Sequence, residues 1–214
     1  MEIKNVKVAF LNEAIYRSGY PMQVGEPEDL DMPDLLSICD GDIKRAKKLA
    51  KVPTGSGHDN FLKGIIVQFD LKYTQYITKQ LQRYNWFEYI SSQSIMHRIT
   101  KIDDIKLHCN KYVLEDIACT VDVLIDVYNK EEFPYILKQE YAADINIYNK
   151  EECYYYIISN IPMGYELWTG VTTSYLQLKT IYQQRKKHKL KYDWQYFCNW
   201  VKTLPMAKEL ILNE

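Results

Sequence analysis

The chain has 214 residues, of which 47% are apolar and 26% are charged, and its formal net charge is −1. This length fits one domain, and the apolar content is high enough to form a core, which excludes a mainly disordered chain. The near-balance of charges lacks the basic excess that proteins coating nucleic acid or anionic lipid show. No apolar run approaches the ~20 residues that span a bilayer. The N-terminus carries charges within its apolar stretch, so we expect no signal peptide and a cytoplasmic protein.

The first part of the chain predicts one irregular segment and one short helix. Residues 19–41 hold three prolines and three glycines, which indicates a long irregular segment, and such segments are often functional or mobile. Asp42 is then expected to cap a short helix that ends before Pro53. Residues 54–57 (Thr-Gly-Ser-Gly) predict a turn that leads to His58.

A strand and a helix are predicted next. The stretch GIIVQFDL (64–71) alternates apolar and polar side chains, which indicates a strand with one buried face. Apolar residues at helical spacing follow from Tyr73 to Tyr84, with Thr74 as the expected N-cap. Residues 85–101 are polar and aromatic without a period, so they predict a loop with a short turn.

The second half of the chain predicts mostly helix. Its clearest element is the helix over 113–129, because apolar residues form a continuous stripe there. The further predicted elements are a helix opened by Asn149 and stopped by Pro162, a strand over 164–171, a helix from Ser174 to about His188, and a last helix capped by Asp193. With no repeat and no Gly/Ser/Pro-rich linker, these elements predict one α/β (α+β) domain over 1–214, with a small central sheet flanked by helices.

Cysteine and histidine usage argues against a metal or a disulfide framework. The five cysteines are odd in number and no two have CxxC spacing, while the four histidines are scattered. Gly-rich phosphate loops and the common hydrolase motifs are also missing. We therefore expect reduced thiols and no metal.

The basic residues are 22 Lys and only 5 Arg. Abundant Lys, Ile, Asn and Tyr indicates an AT-rich genome, such as that of a Firmicute or one of its phages. An Arg in such a chain is slightly more informative than usual, because its planar fork binds phosphate or carboxylate in a way that Lys cannot reproduce.

The run QRKKHKLKYDW (184–194) is the only dense basic stretch. A nucleic-acid interpretation would combine its cations with Tyr192 and Trp194 as stacking platforms. The alternative is a helix C-terminus, where cations complement the helix dipole. We favour the helix terminus, because the rest of the chain is not basic.

The stretch QLQRYNWFEYISSQSIMHR (80–98) has the side chains that a nucleotide pocket requires. Arg83 ends a predicted helix, an aromatic cluster and three serines follow, and His97 and Arg98 close the stretch. Such cations bind phosphate, hydroxyls and amides bind sugar and base, and aromatic rings stack. A polar-aromatic surface loop is the alternative interpretation.

At this stretch the sequence resembles the flavin-dependent thymidylate synthases. That family has Arg-His-Arg, seven residues and then Ser; here Arg83-Tyr84-Asn85 precedes Ser94 with one residue inserted. Its Gly-His-Glu-Ser pattern is similar to residues 57–60 (Gly-His-Asp-Asn), ahead of the same strand. Downstream, 161–169 and the helix from Tyr175 to Arg185 resemble the family's later strand and Arg-bearing helix. The resemblance covers roughly residues 40–190, in order.

This chain also departs from the family pattern. Tyr84 and Asn85 replace the motif's His and second Arg, and Met96 stands where the family has a phosphate-binding Arg. Lys63-Gly64 replaces a flavin-contacting Glu-His, and Thr173 replaces an Arg near the later helix. Each lost charge-assisted contact weakens binding by about 1.5–3 kcal/mol, so flavin chemistry is expected to be altered or lost.

The resemblance implies an α/β fold and a homotetramer with FAD and deoxyuridylate bound in sites shared between subunits. We therefore predict a divergent homologue that binds a pyrimidine deoxynucleotide, with FAD possible but weakened. The alternatives are a non-catalytic phage-type binding or regulatory protein and, with less support, a small nucleic-acid-binding protein. The predicted nucleotide-binding residues are Arg83, Tyr84, Asn85, Ser94, His97, Arg98 and Arg185. The predicted cofactor-binding residues are His58, Arg83 and Asn85.

Overall fold

The computed structural model describes residues 1–27, 37–53 and 55–212. The strands are β1 (Glu2–Ala9), β2 (Ile66–Thr74), β3 (Phe87–Ser92), β4 (Tyr135–Leu137), β5 (Ile145–Ile147) and β6 (Glu166–Ser174). The α-helices are α1 (Leu11–Arg17), α2 (Asp40–Ala50), α3 (Gln75–Leu81), α4 (Ile95–Arg98), α5 (Glu115–Lys130), α6 (Lys150–Ser159), α7 (Tyr175–Arg185) and α8 (Lys191–Val201). This mixture of helices with a small sheet confirms the predicted fold class.

The described chain forms two compact units. The first unit comprises Met1–Leu71, Leu81–Ser91 and Thr169–Glu214, of which 28–36, 54 and 213–214 lie outside the described residues. The second comprises Lys72–Gln80 and Ser92–Trp168.

The first unit contains most of a four-stranded sheet with the strand order β1-β2-β6-β3. Its core lies on one face of β2, where Val67, Phe69 and Leu71 are buried, while Gln68 on the other face is exposed. The predicted alternation is thus confirmed. Phe69 packs against Trp200 of α8, with ring centroids 4.5 Å apart. Apolar burial of this kind stabilises the unit by roughly 25 cal/mol per Å².

The second unit is built around α5 and α6. The predicted α5 stripe is confirmed by the buried residues Ala118, Val121, Leu124 and Ile125. They share a core with residues of α6, and the hairpin β4-β5 contributes Ile147. That hairpin is antiparallel, with Tyr135 opposite Ile147.

The predicted loop over 85–101 is wrong for its first part, because residues 87–92 form the strand β3. Phe87 is buried, whereas Glu88 and Ile90 are exposed. The strand lies at the edge of the sheet and pairs with β6, about 80 residues later. The Thr169 hydroxyl also donates to the Ser91 carbonyl at 2.8 Å. Because pairing with a distant strand fixes this segment, its local sequence carries only a weak signal for a strand.

One of the predicted helix caps is confirmed and three are wrong. Asn149 accepts the backbone N–H of Glu152 at 2.9 Å. Ser174, predicted only as the start of a helix, caps α7 by accepting the Gln177 N–H at 3.3 Å. Asp42 is not an N-cap but the third residue of a capping box whose N-cap is Cys39. Asp193 lies inside α8, beyond its N-cap Leu190. Thr74 is no side-chain cap, because its buried hydroxyl has no hydrogen-bond partner among the described residues. Of the predicted irregular segment and turn, residues 28–36 and 54 lie outside the described residues.

Candidate functional site

Four of the predicted nucleotide-binding residues line one cleft of about 530 Å³ in the first unit, here called the arginine cleft. They are Arg83, Tyr84, Asn85 and Arg185, and the cleft is completed by Trp86, Gln177, Thr180 and Gln184. Among the described residues that line it, none is acidic. Two cations with no carboxylate on the wall make this cleft suitable for an anion.

Two segments bring these residues together. One wall is the turn between α3 and β3, where the Tyr84 N–H donates to the Leu81 carbonyl at 3.0 Å. The other wall is one face of α7, because Gln177, Thr180 and Gln184 are spaced three and four residues apart. Sequence reasoning missed this helical face; its spacing was a usable signal, but the residue types are common on solvated helices.

Tyr84 is the centre of a hydrogen-bond chain within the cleft. Its side chain is buried, its hydroxyl accepts from the Arg185 Nε at 2.7 Å, and it donates to the Gln184 Oε1 at 3.1 Å. Burial raises the pKa of the Tyr84 phenol above its ordinary value of 10, although the hydrogen bond from Arg185 opposes this rise. The phenol is therefore protonated at neutral pH and keeps both hydrogen bonds.

Arg185 is held by aromatic rings as well as by Tyr84. Its guanidinium carbon lies 4.5 Å from the Trp194 ring centroid and 5.5 Å from that of Tyr84. It also lies in the last turn of α7, as the helix-terminus interpretation expects. Trp194 is fully buried, so it is not the exposed stacking platform that the nucleic-acid interpretation of 184–194 requires.

The other three predicted nucleotide-binding residues lie in the second unit. Ser94 caps α4 by accepting the His97 N–H at 3.3 Å, and the Arg98 Nη1 donates to the Gln93 Oε1 at 2.6 Å. His97 and Arg98 line a separate cleft of about 600 Å³, which also contains His108 and two aspartates. Burial, together with the charges of Arg98 and Lys72, lowers the pKa of His108. This cleft carries mixed charge, unlike the arginine cleft.

His58 lines a third cleft, of about 810 Å³, in the first unit. Arg17, Arg45 and Lys48 share this cleft with apolar side chains, among them Phe61. Arg83 and Asn85, the other predicted cofactor-binding residues, line the arginine cleft instead. The structure therefore does not bring the three predicted cofactor-binding residues together in one cleft of the chain.

A buried ion pair fixes the backbone next to His58. The Lys179 Nζ lies 2.8 Å from the Asp59 Oδ2, and both side chains are 2% exposed. The same Nζ donates to the carbonyls of Ala50 and Val52, at 2.7 and 3.2 Å. A Lys at mid-helix is usually solvated, so nothing in the sequence identified this residue. With three acceptors the buried ammonium is satisfied.

Comparison with solved structures gives the fold of the chain. It superposes on the flavin-dependent thymidylate synthase ThyX from Helicobacter pylori complexed with FAD and dUMP, with a TM-score of 0.68 at 12% identity, covering 99% of this chain and 98% of that one. A second structure of the same enzyme with FAD and dUMP gives 0.67 at 12% identity, over 99% and 97%. The chain thus has the fold of the flavin-dependent thymidylate synthases. No protein-family model and no curated protein matches the sequence.

Two features are absent from the described residues 1–27, 37–53 and 55–212. In those three ranges of the chain, no group of three or more His, Cys, Asp or Glu side chains is placed to hold a metal ion. No helix in the described part of the chain is long and apolar enough to cross a membrane.

Proposed function

We propose that this protein is a divergent relative of the flavin-dependent thymidylate synthases that binds a pyrimidine deoxynucleotide, such as dUMP, in the arginine cleft. The observation that carries the proposal is the pairing of Arg83 and Arg185 in one cleft without a lining carboxylate among the described residues. The fold supports it, because the Helicobacter enzyme with this fold has been crystallised with dUMP.

The two arginines have different roles in this proposal. Arg83 is exposed, and its guanidinium fork can take two phosphate oxygens at once. Arg185 is fixed by Tyr84 and Trp194, so it presents its charge from a constant position. The amide of Asn85 carries a donor and an acceptor, and the Gln177 side chain offers its N–H donors, which suits the alternating carbonyl and N–H groups of a uracil edge.

Within one chain, the residues that the resemblance assigns to FAD do not fit a flavin site. His58 lines a different cleft from Arg83 and Asn85, and Lys63-Gly64 stands where the family has Glu-His. We expect FAD to bind weakly or not at all, and stoichiometric FAD in the purified, yellow protein would contradict this part of the proposal.

The proposal includes a symmetric homotetramer of a single-domain, cytoplasmic protein from a bacterium or a phage-infected host. Closed symmetric assemblies are the common case, and the 19 tyrosines suit interfaces. Light scattering at micromolar concentration should give a mass near four times 25.4 kDa. A monomeric mass would contradict the tetramer but would leave the proposed nucleotide site unaffected.

Calorimetric titration tests nucleotide binding. The wild type should bind dUMP and bind deoxyuridine, which lacks the phosphate, far more weakly. Arg83→Lys keeps the charge but loses the fork, and should weaken dUMP binding by about 1–3 kcal/mol. Arg17→Lys is the matched control, because Arg17 is also exposed but lines the His58 cleft. Failure of the wild type to bind any pyrimidine deoxynucleotide would refute the proposal.

The second candidate is a non-catalytic binding or regulatory protein that uses the same cleft. It is favoured by the replacement of the motif's His and second Arg by Tyr84 and Asn85, of which Tyr84 is engaged in a structural hydrogen-bond chain. The two candidates differ in turnover. Conversion of dUMP to dTMP in the presence of FAD, NADPH and methylenetetrahydrofolate would establish the enzyme, whereas tight dUMP binding without turnover would support the regulatory protein.

A further inference from the structure

Trp86 stands out in the arginine cleft because its backbone is fixed while its side chain is not buried. The residue is 58% exposed, which is the greatest exposure of the four tryptophans. An indole is among the most apolar side chains, so leaving it in water forgoes a large stabilisation. Exposed apolar side chains are common among the described residues, and Trp86 differs from the others because it lines the arginine cleft.

The backbone of Trp86 is held on both sides. Its N–H donates to the Gln177 Oε1 at 3.4 Å, and its carbonyl accepts from the Thr173 hydroxyl at 2.6 Å. Thr173 is 3% exposed, so the hydroxyl has no competing solvent. These contacts tie Trp86 to β6 and α7, and they keep the residue at the cleft wall whether or not anything covers the ring.

The chemistry beside the ring selects the kind of ligand. Arg83 and Arg185 line the same cleft as Trp86. An aromatic face next to two cations matches a ligand that is itself flat at one end and anionic at the other. A nucleotide has this construction, since every base offers a π-face and its phosphate takes the arginines.

We propose that Trp86 is the base-stacking platform of the arginine cleft, on which the pyrimidine ring lies while Arg83 holds the phosphate. The inference rests on the proposed function and adds to it the residue that recognises the base. The Thr173 hydroxyl fixes this platform by donating to the Trp86 carbonyl. The resembled family has an Arg at this position. The residue at this position thus supports a stacking side chain in this protein.

The test separates base from phosphate. Wild type, Trp86→Ala, Trp86→Phe and Arg83→Lys are titrated by calorimetry with dUMP and with 2-deoxyribose 5-phosphate, which lacks the base. Trp86→Ala should weaken dUMP binding about 5- to 100-fold and leave the sugar phosphate unchanged. Arg83→Lys should weaken both ligands. Tyr196→Ala is the matched control, because Tyr196 is an exposed aromatic residue of the same unit outside the cleft.

Fluorescence gives an independent readout. Binding of dUMP should quench the tryptophan emission of the wild type, and Trp86→Phe should lose the quenching while keeping most of the affinity. Equal dUMP affinities of wild type and Trp86→Ala would overturn the inference and leave the proposed function intact. An equal loss for the sugar phosphate, or a changed mass in light scattering, would show a structural or interface role and would also overturn it. No dUMP binding by the wild type would overturn both.

Discussion

The contact between Arg185 and Tyr84 allows a prediction that separates folding from ligand binding. Arg185→Lys removes the 2.7 Å hydrogen bond from Nε and weakens the cation–π contact with Trp194, whose ring centroid lies 4.5 Å from the guanidinium carbon. The lost hydrogen bond accounts for about 0.5–1.5 kcal/mol, and the weaker cation–π contact accounts for about 0.5–1 kcal/mol. The free energy of unfolding should therefore fall by about 1–2.5 kcal/mol. For a chain of this size, that corresponds to a Tm lower by about 3–8 °C.

The assay is urea unfolding of wild type, Arg185→Lys, Tyr84→Phe and the double variant. Because both single changes remove the same hydrogen bond, their effects should fall short of additivity by about 0.5–1.5 kcal/mol. The control is Arg83→Lys, which is the same substitution at an exposed residue of the same cleft. Its free energy of unfolding should stay within about 0.5 kcal/mol of the wild-type value. Additive effects, or a wild-type stability for Arg185→Lys, would refute the assigned contact.

Three further outcomes follow from buried groups. Lys179→Met leaves the carboxylate of Asp59 buried without its cation, so urea unfolding should show a loss of about 3–5 kcal/mol; a loss below 1 kcal/mol would contradict the ion pair. At pH 8, a thiol reagent should rapidly modify the exposed Cys39 and Cys119 of the native protein, and all five cysteines after unfolding. Cys153 and Cys198 are buried, and partial burial raises the pKa of the Cys109 thiol to about 11. Five fast thiols in the native state would contradict these assignments. Burial raises the pKa of Asp122 above its usual value of 3.8. The charged carboxylate is thus disfavoured in the folded chain, so the free energy of unfolding of the wild type should fall as the pH rises through the raised pKa. An Asn side chain cannot ionise, so the stability of Asp122→Asn relative to wild type should increase from about pH 4 to pH 7 in urea unfolding. A difference between the two proteins that does not change with pH would contradict this.

The candidate site was predictable in part from sequence. Arg83, Tyr84 and Asn85 are adjacent in the chain, and Arg185 could be added only through the resemblance, because it lies 100 residues away. The structure places these four in one cleft, whereas Ser94 lies in the other unit. The sequence indicated stacking rings in the aromatic cluster of residues 80–98, but not that Trp86 is the ring left exposed in the cleft. An aromatic residue in an aromatic cluster predicts burial as readily as exposure, and only its surroundings decide between them.

The sequence by itself determined the elements whose signals are local. Alternation identified β2, and the side chains of Asn149 and Ser174 marked the starts of α6 and α7, because capping and periodicity act within a few residues. The tertiary structure alone decided β3, which pairs with a strand about 80 residues away. It likewise decided that the ammonium of Lys179 is buried and that the guanidinium of Arg185 stacks on an indole. These features depend on partners that are distant in the chain, and the desolvation of a charge is set by what surrounds it in space.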